Sequence, residues 1–242
     1  MADFVLGRPT TLATEGMIAT PHYLATLAGL RVLQDGGNAV DAAIAANAVL
    51  AVVYPHMCGI GGDAFFLIWE PRERQLLALN GSGRVPQALS AETLRSRGFR
   101  LVPPKGPWGV TVPGAVDAWV TVLERCGTWP LDELLQPAIG YAERGFPVSR
   151  QLAAAIAQEE QVFRGQPAAV AQFLPEGRPP QPGTILRQPA LAATLRLIAE
   201  RGPEAFYRGP IAEEIAAVIQ AHGGAMTVDD LVAHQSDWVQ PL

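Results

Sequence analysis

The chain has 242 residues, 49% of them hydrophobic and 17% charged, with a net charge of −5 and a pI near 5.4. That length suits one large or two small globular domains. No cluster of lysine and arginine is interleaved with aromatics, which argues against nucleic acid as a partner.

The first fifteen residues read as a polar lead-in with one edge strand. Met1-Ala2-Asp3-Phe4 shows no basic segment followed by an apolar core, so no signal peptide is visible and a cytoplasmic location is expected. From Gly16 onward the pattern turns helical. Pro21 fits the first turn of a helix, and Tyr23, Leu27, Leu30 and Leu33 recur on one face of it. Gly36-Gly37 stops this helix, and Asn38 with Asp41 caps the next. Ala39 to Tyr54 carries only Asp41 as a charge, and a helix that is apolar all round must be enclosed. It falls short of the roughly 20 residues of a bilayer span, so it is a core helix and no membrane partner is expected.

Pro55 ends that helix, and Gly59-Ile60-Gly61-Gly62-Asp63 follows. A Rossmann turn needs a strand before its glycines and a helix after them, whereas here helix precedes and strand follows. No Gly-Lys-Ser/Thr is present either. The cluster therefore reads as a turn whose glycines serve positive φ or a close backbone approach. Ala64 to Trp69 is an apolar strand suited to a central position, and Leu76 to Leu79 returns as its hairpin partner. Asn80 to Pro86 leaves that second strand, and a loop there is the best candidate site in the chain.

Beyond it, Ser90 caps a short helix ending near Gly98, and Gly109 to Val112 reads as a short strand. Pro113-Gly114 leads into a helix with Val116, Trp119, Val120 and Leu123 on one side. Pro130 opens another with Leu134, Leu135, Ala138, Ile139 and Ala142 inward, stopped at Gly145. A third runs from Ser149 to about Val162, and residues 164–183, rich in proline, read as a surface excursion. Helices resume over Ala190–Glu200 and Ile211–Ala221, Thr227 with Asp230 caps a last short one, and Trp238 to Leu242 is extended. So few strands leave the sheet with uncovered edges, which implies completion by residues outside the chain.

Metal and thiol chemistry find little support. His22, His56, His222 and His234 form no ligand pair, no Cys-x-x-Cys exists, and no metal or other cofactor is expected. Cys58 and Cys126 read as two buried thiols rather than a disulfide, and Cys58 has no base at readable spacing to make it a nucleophile.

Taken in order, Gly16-Met17-Ile18-Ala19, Gly36-Gly37-Asn38-Ala39-Val40-Asp41-Ala42-Ala43 and Gly59-Ile60-Gly61-Gly62 with Phe65 resemble the gamma-glutamyltranspeptidase family. Val112-Pro113-Gly114, Gly127-Thr128-Trp129-Pro130-Leu131, Gln136-Pro137-Ala138 and Gly202-Pro203-Glu204-Ala205-Phe206-Tyr207 extend the likeness, as do Gly223-Gly224 and Asp229-Asp230-Leu231. The resemblance implies an α/β protein of the α+β type, an N-terminal-nucleophile hydrolase with a four-layer αββα sandwich. It also implies a precursor that cleaves itself into two subunits, the small one carrying a catalytic threonine. On that resemblance residues 1–242 are the N-terminal portion of the large subunit, one incomplete domain with no catalytic residue of its own. Its expected partners are the small subunit and a small-molecule gamma-glutamyl or acyl-amide substrate.

One departure concerns the substrate. Glutathione-active members of the family carry an arginine for the α-carboxylate four residues before the proline that here is Pro86, and that position is Ser82. Arg84 lies two residues on and, in an extended loop, points to the same side. Ser82 and Arg84 are therefore the candidate substrate-binding residues, with a solvated loop arginine as the competing reading. The implied activity is gamma-glutamyl transfer or hydrolysis. The alternatives are a cephalosporin or glutaryl acylase of the same family, or a scaffold protein that keeps the fold without the chemistry.

Overall fold

The computed structural model describes residues 10–241. The part of the expected lead-in strand that falls on residues 1–9 lies outside them, and residues 10–22 contain no strand. Two helices open the fold, α1 (Tyr23–Gln34) and α2 (Ala39–Val53). Asn38 caps α2 as expected, its Oδ1 accepting from Val40 N and Asp41 N while Asp41 reaches back to Asn38 N. All of α2 except Ala39, Ala43 and Asn47 is buried, which makes it the centre of the core.

α1 corrects the sequence reading in two ways. Pro21 precedes the N-cap, His22, rather than sitting in the first turn. The expected stripe does not face inward either: Tyr23 and Leu27 are exposed, and Leu24, Ala25, Ala28, Gly29 and Val32 are buried instead. The reason is backbone approach. A Cβ on Gly29 would stand 2.8 Å from Ala42 O and 3.4 Å from Ala46 Cβ, so the small residues of both helices meet and the large ones are turned aside. Close helix contact wins over the largest apolar side chains at this interface.

A hairpin follows, β1 (Ala64–Glu70) and β2 (Gln75–Gly81), and β5 (Asp237–Val239) adds to the far side of β2 in antiparallel register. Among the described residues β1 pairs on one side only, at the margin of this three-stranded sheet. The inner face packs on the helical core through Phe66, Ile68, Leu79 and Trp238, with Leu77 buried on the same face. The outer face bears Phe65, Leu67 and Trp69, which are 66, 71 and 58% exposed.

Between hairpin and β5 lie α3 (Ala91–Ser96), α4 (Ala115–Cys126), α5 (Leu131–Arg144), β3 (Phe146–Pro147), α6 (Arg150–Gln158), α7 (Glu160–Arg164), α8 (Pro167–Phe173), β4 (Ile185–Leu186), α9 (Pro189–Arg201), α10 (Glu204–Tyr207), α11 (Pro210–Ala221) and α12 (Val228–Val232). α4 lies against the sheet and α2, α5 packs on α2, and α9 covers α5. All five residues expected inward on α5 are buried, and Gly145 ends it at φ +91°. On α4, Val116 and Trp119 are buried, whereas Val120 and Leu123 are only half-buried. Trp119 Nε1 donates to Asn47 Oδ1 at 2.8 Å, which satisfies the one uncharged polar side chain in α2.

Three further expectations change. Gly109 to Val112 is no strand: a 3-10 turn spans Pro107–Gly109, and Val112 N makes a single ladder-like bond to Arg84 O (3.0 Å) before Pro113, which has no N–H to continue it. The helix expected to reach Val162 breaks at Glu159, which sets Phe163 against Phe173 with ring centroids 5.3 Å apart. The excursion over 164–183 contains α8, and β3–β4 brackets it.

Candidate functional site

The loop after β2 is fixed by a crossing of glycines. A Cβ on Gly83 would overlap the carbonyl of Val112, and one on Gly114 would overlap the carbonyl of Gly81. Only glycine lets these backbones touch. The glycine turn before β1 joins them, because Gly62 O accepts from both Gly114 N and Ala115 N at 2.9 Å. Its own glycines contradict the expectation of strain or crowding. Gly59, Gly61 and Gly62 are absent from the positive-φ positions, and a Cβ on Gly61 would meet nothing within 4 Å.

Ser82 and Arg84 hang from this crossing. Ser82 is half-buried, its N–H donating to Asn80 Oδ1 at 3.1 Å, and its hydroxyl makes no hydrogen bond among the described residues. Gly83 N donates to Asp63 Oδ1 at 2.8 Å. Arg84 is exposed and its Nη2 reaches Asp237 Oδ2 at 3.3 Å. One long contact between two exposed groups contributes about 0–1 kcal/mol and leaves the other guanidinium donors free. Asn80 and Asp237 are cross-strand partners, and Phe65 faces Asn80 on the other side. The two candidate residues thus stand at one end of the bare outer face of the sheet.

Residues that sequence reading passed over complete the surroundings. Asp63 and Asp237 bracket the loop, and Asp117 of α4 accepts from Ser236 N at 2.7 Å. Tyr207 OH donates to Pro113 O (2.8 Å) and accepts from Asp117 N (3.1 Å); burial pushes its hydroxyl well above the usual phenol range. His234 stacks on Tyr207. Burial holds its pKa below the ordinary value, Arg84 adds to that, and Asp117, Asp63 and Asp237 pull the other way. No local spacing ties these residues together, since Arg84 and Asp237 are 153 positions apart.

Cys58 and Cys126 are unpaired and half-buried, and burial raises both thiols, so neither is primed as a nucleophile. Among the described residues no group of three or more His, Cys, Asp or Glu is placed to hold a metal ion, and no helix is long and apolar enough to cross a membrane.

The family model described as gamma-glutamyltranspeptidase matches residues 25–242. The chain is 40% identical over 234 residues to the glutathione hydrolase-like YwrD proenzyme of Bacillus subtilis, covering 96% of this chain and 44% of that protein. It superimposes on gamma-glutamyltranspeptidase of Helicobacter pylori with a TM-score of 0.92 at 30% identity, over 97% of this chain and 68% of that one. With cephalosporin acylase from Bacillus halodurans the TM-score is 0.85 at 42% identity, over 90% of this chain and 42% of that one. With helices on one face of its three-stranded sheet and these matches to solved relatives, the chain has the α+β fold of the N-terminal-nucleophile hydrolases, built as αββα sandwiches. Within that class the chain belongs to the gamma-glutamyltranspeptidase family. It spans less than half the length of the curated relatives it matches.

Proposed function

We propose that residues 1–242 form the front part of the large subunit of a gamma-glutamyltranspeptidase-family amidase. In this reading they supply helical layers, part of the sheets and one wall of the acyl pocket. The observation that carries it is the outer face of the β1–β2–β5 sheet, apolar through Phe65, Leu67 and Trp69 and ending at Asn80, Asp237, Ser82 and Arg84. An exposed apolar patch of this kind marks a surface made to be covered. The second sheet, with the nucleophilic threonine at its first residue, is the matching cover.

Chemically, the threonine hydroxyl attacks the amide carbonyl while its own α-amine takes the proton, and the amine leaving group departs with a proton. Water or an acceptor amine then takes the acyl group. Arg84 and the Ser82 hydroxyl would hold the carboxylate of the acyl donor, in competition with Asp237. A charge-assisted bond of this type is worth roughly 1.5–3 kcal/mol.

A second reading is favoured by one observation. Ser82 replaces the forked arginine of glutathione-active members, and Arg84 is already shared with Asp237, so the hold on an α-amino-acid head is weakened. A glutaryl-type acylase needs only one terminal carboxylate. Comparing kcat/KM for a gamma-glutamyl anilide and its glutaryl counterpart separates the two: preference for the former supports gamma-glutamyl cleavage, and preference for the latter assigns the acylase. Mass spectrometry of the processed protein is expected to show a second polypeptide beginning with threonine. A single uncleaved chain with no activity would instead identify a scaffold.

A further inference from the structure

His234 is only 7% exposed, yet neither of its ring nitrogens has a hydrogen-bond partner among the described residues, and Ser236 Oγ is likewise buried and unpartnered. Buried polar atoms are nearly always paired, so three orphans within three residues call for a functional explanation. Their place supplies one. His234 Nε2 stands 3.3 Å from the position of a Cβ on Gly114, the position that the Gly81 carbonyl fills. Ser236 Oγ stands 3.3 Å from that of a Cβ on Gly81 itself. The orphaned atoms therefore back directly onto the residue before Ser82.

The charges that bear on the ring come from four elements. Asp117 comes from α4, Asp63 from the glycine turn, Asp237 from β5 and Arg84 from the loop, while Tyr207 of α10 covers one face of the ring at 5.6 Å between centroids. Two of those carboxylates also hold the loop: Asp63 takes Gly83 N and Asp237 takes Arg84. The third, Asp117, takes Ser236 N.

We propose that His234 is a positioning residue for the Ser82–Arg84 loop. Uncharged, its ring fits beside the Gly81–Gly114 crossing, and Gly83 N stays on Asp63 where a substrate carboxylate meets the loop. Protonated, it becomes a buried cation with no acceptor for either ring N–H among the described residues, so the crossing opens to hydrate it and the loop it carries is released. The consequence for catalysis rests on the reading that this loop takes the carboxylate of the acyl donor.

Two measurements on the full-length processed protein test it. Protection of the Gly83 amide against hydrogen exchange is expected to fall about tenfold as pH drops from about 6.5 to about 5, below the ordinary histidine range because His234 is buried, and to stay level in H234Q. Over the same range KM for a gamma-glutamyl anilide is expected to rise about tenfold with kcat little changed, and H234Q is expected to hold KM within about twofold. Constant Gly83 protection in the wild-type protein overturns the proposal, as does a KM limb that survives in H234Q. The exchange measurement reads the loop whatever the substrate. An error in the substrate reading alone leaves it intact and shows instead as an R84A variant with unaltered KM.

Discussion

The helical side and the sheet side of this chain are finished to different degrees. Around α2, apolar and polar groups alike are settled: its aliphatic side chains apart from Ala39 and Ala43 are buried, Asn47 has Trp119, and Asp41 collects Asn38 N, Thr128 N, Thr128 Oγ1 and Trp129 N. The β1–β2–β5 sheet is settled on one face only, with aromatic and aliphatic side chains turned outward on the other. The contrast separates residues that build the chain itself from residues that serve what it meets.

The largest effect is expected on the finished side. Asp41→Ala removes the buried acceptor shared by four part-buried donors and is expected to cost about 2–4 kcal/mol in denaturant unfolding. A loss below about 1 kcal/mol would show that α2 is less enclosed than its burial indicates. On the unfinished side, Leu67→Ser in the full-length protein is expected to cost about 2–3 kcal/mol, as for a covered leucine. If that face is wet in the whole protein, the change stays within about 0.5 kcal/mol.

At the boundary between the two sides, Arg84→Ala is expected to raise KM for a carboxylate-bearing acyl donor about ten- to a hundredfold, measured by steady-state kinetics. Glycine or alanine at position 84 leaving KM unchanged would make Arg84 a surface partner of Asp237 and nothing more. A smaller effect is expected from pH. Burial lowers the pKa of both His22 and His234, the neighbouring His56 also acting on the first, so the unfolded chain binds more protons as pH falls below about 6.5. Stability is therefore full above that pH and declines as pH falls toward the folded-state values, readable as a falling thermal midpoint. The smallest is Arg164→Ala, which removes an exposed pair with Glu160 on α7 and is expected to cost no more than about 0.5 kcal/mol.

Legibility in the sequence follows the same division. Caps and stops at Asn38, Ser90, Ser149, Thr227 and Gly145 were readable because each depends on neighbours within a few residues. The inward set of α5 was readable from periodicity alone. The face of α1 was not, since apolar spacing cannot tell whether leucines or a glycine lead the contact, and Gly29 does. β1 read as central because an apolar run looks the same whether its second face meets helices or another sheet. Ser82 and Arg84 stood out through their place in a family pattern, and the structure sets them in one loop. Asp63, Asp237 and His234 had no local signal, because only the glycine crossing and β5 bring them to that loop.

The late arrival of β5 has a consequence for biosynthesis. Arg84 and Asp237 are 153 residues apart in the chain, so at roughly 5–20 residues per second the ribosome needs roughly 8–30 s to deliver the second after the first. During that interval the hairpin has emerged with both strand margins unpaired and its loop lacking both Asp237 and His234. Helices made before β5 can settle as each is released, whereas the Ser82–Arg84 loop waits for β5. A nascent chain stalled in this interval is the form most exposed to edge-to-edge association with its neighbours, and the one for which a chaperone has most to cover.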